Sequence, residues 1–172
     1  KMQTMTSAYA NKMLKSLEED KEYWLKREAE SSTYVANIEE EPVIPDYDYR
    51  EVAAQIAQID EKIATIKHAL NVANATAAVK VGDSVMSIDT ILIRMAQLNK
   101  RKAVLDYMRK QLPKARENQH SYMARNSVPE YRYINYDLSL IKQEYEKVSN
   151  SIMEMQIALD RYNQTELFDV EI

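Results

Sequence analysis

A single glycine, Gly82, serves all 172 residues of this chain, alongside four prolines. Average usage over that length would give about 12 glycines and about nine prolines. Sandwiches, barrels and dinucleotide-binding folds need glycine wherever the backbone turns tightly or takes a positive φ. A chain so poor in it becomes compact by running long helices between few turns. The apolar share of 45% is enough to build a core, which argues against a disordered chain. The length fits one domain, residues 1–172.

Helical periodicity supports that reading. In the last helix, about 138–163, Leu138, Ile141, Tyr145, Val148, Ile152, Met155, Leu159 and Tyr162 alternate spacings of three and four. That is an unbroken heptad seam on a helix about 39 Å long. The second helix, about 48–72, repeats it with Val52, Ile56, Ile59, Ile63, Ile66 and Leu70. The third, about 88–112, carries Ile91, Met95, Leu98, Leu105, Met108 and Leu112, with an interruption at Arg101-Lys102. The first, about 6–31, is less regular and draws on Met13, Leu14, Leu17, Trp24 and Leu25. Asp48, Ser87 and Asp137 stand where N-caps belong, their oxygens placed to accept the free N–H groups of a first turn.

The connections carry their own signals. Glu41-Pro42-Val43-Ile44-Pro45 cannot be helical across its prolines. Gly82-Asp83 between two alternating runs predicts a β-hairpin over about 78–87. Alternation recurs in Glu130–Asn135 and in the tail, about 166–172, where Phe168, Val170 and Ile172 share one face. In an up-down order the tail returns to the hairpin end, so Phe168–Ile172 is expected to pair with Val79–Met86. The expected fold is all-α: an antiparallel four-helix up-down bundle of long coiled-coil-like helices, with a small β-hairpin or sheet at one end.

Chemistry is harder to find. The absence of cysteine removes disulfides, thiolate nucleophiles, zinc ribbons and iron–sulfur clusters. A di-metal bundle needs inward carboxylates on all four helices and two Glu-x-x-His motifs. The single match, Glu117-Asn118-Gln119-His120, lies in a polar stretch, and the seams of helices two and four hold no carboxylate. His68, in a charged helix, has no nucleophile to serve. No phosphate-cradling loop and no Gly-x-Ser-x-Gly elbow occurs. The expectation is therefore no catalytic, cofactor-binding or metal-ligating residue, and no enzyme.

Interaction residues are easier to nominate. Helix three is basic, with Lys100, Arg101, Lys102 and Arg109 prominent, although the chain as a whole carries a net charge of −4. Such a face tracks phosphates, or it neutralises Glu18, Glu19, Asp20 and Glu22 of helix one on a neighbouring helix or subunit, and a charge-paired or solvated face is the preferred reading. Twelve tyrosines against one phenylalanine suit bundle ends and interfaces, with Tyr47, Tyr131 and Tyr133 clustered near the proline loop and Phe168 in the tail. Asn71, Asn74 and Asn163 are read as structural polar caps at the ends of helices two and four. No stretch reaches the roughly 18 apolar residues of a membrane span, and the expected location is the cytoplasm.

Several of these segments resemble a family of small bacterial helical proteins without established activity, some of whose members are labelled septicolysin. The matching pieces are Ala69–Thr76, Met95–Lys102, Tyr131–Asp137 and Gln156–Thr165, in that order after the Glu-Glu-Pro connection. The resemblance implies a helical, oligomeric protein and no catalytic residues. The preferred function is a non-enzymatic, self-associating scaffold or protein-interaction module, a homo-oligomer. A nucleic-acid-binding module using helix three and a small-ligand protein or enzyme with a polar pocket at one bundle end stand as alternatives.

Overall fold

The structure, a computed structural model, describes residues 1–117 and 128–172. Among the described residues the chain runs β1 (Met2–Thr6), α1 (Ser7–Ser31), α2 (Tyr49–Thr76), β2 (Ala78–Val81), β3 (Ser84–Ser87), α3 (Ile88–Arg109), β4 (Lys114–Arg116), β5 (Tyr131–Tyr133), α4 (Leu138–Thr165) and β6 (Leu167–Glu171). The strands form three two-stranded antiparallel sheets, β1–β6, β2–β3 and β4–β5. The fold is therefore mixed α/β, which corrects the all-α expectation. Two strands account for much of the difference. Met2–Thr6 offers only five residues before a helix, and Lys114–Arg116 follows Pro113 in a stretch that reads as polar connection.

The helices pair as two hairpins. α1 lies chiefly against α2 and α3 against α4, while α2–α3 and α1–α4 touch far less. One apolar cluster joins Leu14, Ile59, Ile63 and Ile66 to Met5 and Val170 of the β1–β6 sheet. A second joins Ile88, Ile91, Met155, Leu159 and Tyr162 to Val81 of the β2–β3 hairpin. A seam facing one partner helix is covered from one side only, so Tyr145, Val148 and Ile152 stay half-buried along the middle of α4. A closed four-helix core would have buried them.

The tail does not pair with the hairpin, contrary to expectation. α1 starts beside the point where α4 stops, so Met2–Thr6 and Leu167–Glu171 leave the helices side by side and antiparallel. Met5 faces Phe168, and Thr4 faces Asp169, with Thr4 Oγ1 donating to Asp169 Oδ1 at 2.6 Å. Phe168 is half-buried against the first cluster, while Val170 and Met5 are buried. The β2–β3 hairpin closes on a two-residue turn, Gly82-Asp83, where Gly82 takes φ +57°. With positive φ at Gly82 and not at Asp83 the turn is of type II′, and the Gly82 conformation disfavours side chains.

Caps set most helix starts. Asp48 Oδ1 accepts from Arg50 N–H at 2.9 Å, and Asp137 Oδ1 from Ser139 N–H at 2.9 Å. Thr6 caps α1 by accepting from Tyr9 N–H at 3.2 Å. Ser87 departs from its expected role: its hydroxyl donates to the Asp89 carboxylate, and Asp89 accepts from Thr90 N–H at 2.9 Å.

Candidate functional site

A wide concavity lies between β2 and the C-terminal half of α4. It encloses about 620 Å³, with Ala77–Gly82 as one wall and Glu154, Ile157, Ala158, Arg161, Tyr162, Thr165 and Glu166 as the other. The hairpin geometry decides what the strand offers. In a two-residue type II′ turn the Val81 carbonyl accepts from Ser84 N–H, so Val81 and Ser84 form a hydrogen-bonded pair. Such pairs alternate along an antiparallel ladder. Val79–Met86 is therefore bonded, whereas Lys80–Val85 and Ala78–Ser87 are not. The N–H and C=O groups of Ala78 and Lys80 thus point away from β3, toward the groove. No other backbone hydrogen bond among the described residues takes them up. Val79 and Val81 face the helices, and Ala78 and Lys80 face outward.

The helical wall is apolar at its centre and charged at its ends. Ile157 keeps 57% of its surface exposed although it is aliphatic. Glu154 and Arg161 flank it and are exposed, and neither joins an ion pair among the described residues. Tyr162 closes the floor. Burial first, then the Glu166 carboxylate, push its hydroxyl above the usual tyrosine range. The neighbouring Ser7 hydroxyl opposes that shift without hydrogen-bond geometry, and its buried Oγ has no partner.

The residues nominated from sequence are scattered over the molecule. Lys100 and Arg101 are exposed on α3. Lys102 and Arg109 turn inward instead, over the Tyr145 ring of α4, at 5.7 Å and 4.0 Å from its centroid. Arg109 and Lys110 also grip Asp106, whose carboxyl is held below its ordinary pKa by Lys110 and then Arg109. Within one chain, among the described residues, no ion pair joins helix three to Glu18, Glu19, Asp20 or Glu22; the helix-to-helix ion pair of α1 is Lys21–Asp60, at 2.7 Å to α2. The basic face thus leaves fewer cations for phosphate than its sequence implies.

Tyr131 and Tyr133 lie on β5, with Lys114 of β4 at 4.4 Å and 5.8 Å from their ring centroids. Asn71 is exposed, while Asn74 and Asn163 are half-buried. Asn74 Oδ1 is buried without a hydrogen-bond partner, so no bonded polar cap joins the two helix ends through it. The helix ends are instead closed by Ala77 N–H to Ala73 and Glu166 N–H to Tyr162. Glu117 accepts from Arg132 Nε at 2.9 Å; the rest of the Glu-x-x-His motif, residues 118–120, lies outside the described residues. Among the described residues no three His, Asp or Glu side chains converge as a metal site.

Tyr47 is the nominated residue with the clearest electrostatic signature. It ties the proline loop to α1, its hydroxyl donating to Glu28 Oε2 at 2.8 Å. That bond, then burial, hold its pKa up, at about 12. A raised folded pKa means the stabilisation is complete below the unfolded value near 10 and is lost as pH rises through about 12. Thermal melts of the wild type and Tyr47→Phe are expected to converge between about pH 9 and pH 12. A constant gap over that range would show that the phenol does not titrate in this way.

The groove residues Lys80, Glu154, Ile157 and Arg161 were not singled out from the sequence. The signal present was a second, off-seam apolar pair on α4, Met153 and Ile157, four residues apart and both more than half exposed.

No family model matches this chain, and no curated protein sequence matches it. The label septicolysin therefore gains no support. A solved structure described as a functionally unknown conserved protein from Corynebacterium diphtheriae is similar in fold. It aligns with a TM-score of 0.63 and 15% identity, over 98% of this chain and 100% of that one. At that identity the likeness concerns the fold alone. No helix among the described residues is long and apolar enough to cross a membrane.

Proposed function

We propose that the chain is a non-enzymatic interaction module that associates with itself or with another protein, with self-association as its principal mode. The observation that supports this reading is the open edge of β2 beside the exposed Ile157 of α4. Unpaired strand edges template further pairing, and natural proteins usually cover or charge them. Here the edge borders a concave apolar strip, the arrangement in which an added strand gains main-chain hydrogen bonds and side-chain burial together. The groove's perturbed titratable group is Tyr162, raised mainly by burial, and no base stands paired with a nucleophile along either wall. Sedimentation of the full chain at micromolar concentration is expected to give at least twice the 20.0 kDa of one chain. A single species at the one-chain mass would remove self-association from the account.

A further inference from the structure

Resting on the self-association proposed above, we infer that the occupant of the groove is the β2 strand of a second copy, paired antiparallel about a two-fold axis at Val79. A two-fold interface applies the same patch on both subunits, so the patch has to complement itself. The outward backbone groups of Ala78 and Lys80 meet that condition. With Ala78 opposite Lys80 of the second copy, two hydrogen-bonded pairs form, and Val79 faces its own counterpart in the non-bonded position between them. Two other symmetric registers are poorer. Centring on Lys80 sets two ammonium groups directly opposite, which is unfavourable. Centring on Ala78 carries each Lys80 past the partner strand, opposite Thr76 at the end of α2.

The helical wall carries the matching symmetry. Glu154, Ile157, Ala158 and Arg161 read acid, apolar, apolar, base at spacings of three, one and three. A two-fold through the Ile157–Ala158 pair reverses the helix, bringing each Glu154 toward Arg161 of the other copy. Both groups are exposed, and neither is joined to an intrachain ion-pair partner among the described residues. The strand's own alternation completes the fit. Val79 and Val81 point toward the helices, so the incoming strand lays the same aliphatic pair over the exposed Ile157. The result is a continuous four-stranded sheet, β3–β2 from each copy, with both grooves filled at once.

Two measurements on the full chain test this. The first is sedimentation equilibrium of Glu154→Arg, Arg161→Glu and the double variant. Each single change places like charges across the axis and is expected to weaken the dimer about tenfold or more, and the double swap to restore it to within about threefold. The second uses the absence of native cysteine. In Val79→Cys the two thiols sit opposite each other with Cα atoms about 4.5 Å apart, within disulfide reach. Mild oxidation is expected to convert the chain to a covalent dimer, and the crosslink to disappear when Ile157→Lys is added. Thermal melts confirm that each variant is folded. If the wild type is a monomer, both the self-association reading and this inference fall. If the wild type self-associates, but the charge variants do not weaken it and Val79→Cys does not crosslink, this register is wrong while the broader reading stands.

Discussion

Replacing Val170 by Asp is expected to abolish most of the stability of the folded chain, while the same change at Leu167 on the same strand has little effect. Val170 is 1% exposed and Leu167 is 64% exposed, three residues apart on opposite faces of β6. The Val170 side chain seals the base of the first apolar cluster with Met5, Ile66 and Leu70. A carboxylate there has no partner, and an unpaired buried charge is among the few changes that cost more than about 4 kcal/mol. For a chain of this size that corresponds to a fall in melting temperature of about 10 °C or more. Leu167→Asp adds a charge on the solvent side of a strand facing Thr6 and is expected to move the melting temperature by about 2 °C at most. Equal melting of the two variants would show that β6 does not seal the core. That outcome would also remove the pairing with Met2–Thr6, which carries Met5 into the same cluster.

The strand pattern of the tail was legible in the sequence, but its partner was not. Alternation tells which residues of a strand share a face and carries no information about the strand across from it. The same limit explains the two irregular seams. In α1 the inward positions are Ser7, Ala10, Leu14, Leu17, Lys21, Trp24 and Glu28, all buried or half-buried and spaced alternately three and four. In α3 they are Ile88, Ile91, Met95, Leu98, Lys102, Leu105 and Arg109, with the same spacing and the same burial. Both heptads are complete, but an apolar template drops the polar members, so α3 appears interrupted at Lys102 and Leu25 is drawn into α1, where it stands 40% exposed. The charged members face partners that lie far away in sequence. Lys21 meets Asp60, Glu28 meets Tyr47, and Lys102 and Arg109 cover Tyr145. Long cationic side chains lay their methylenes along a seam while the charged head finds a ring or a carboxylate, which a two-helix seam open on one side permits. The groove was hidden for a related reason. Its helical wall lies off the seam of α4, and its other wall is backbone whose free groups follow only from the hairpin register.

Two apolar clusters, rather than one, predict that mutations in them add. Ile66 and Ile91 are both 0% exposed, the first in the α1–α2 cluster and the second in the α3–α4 cluster. Ile66→Ala is expected to cost about 2–5 kcal/mol from lost burial and the cavity left behind, and Ile91→Ala about the same. Each corresponds to a drop in melting temperature on the order of 5–15 °C. Together they approach the whole stability of an ordinary domain, so the additivity test pairs Ile66→Ala with the milder Ile91→Val, at about 0.5–1.5 kcal/mol. Side chains in separate clusters share no cavity, and urea denaturation of the pair is expected to give the sum of the single losses within about 0.5 kcal/mol. Residues packed around one cavity couple by about 0.5–3 kcal/mol instead. A coupling above about 1 kcal/mol would mean that the two helical hairpins share a continuous core. Helices α2 and α3 would then hold one another as tightly as each holds its own partner, and the division into two arms would be wrong.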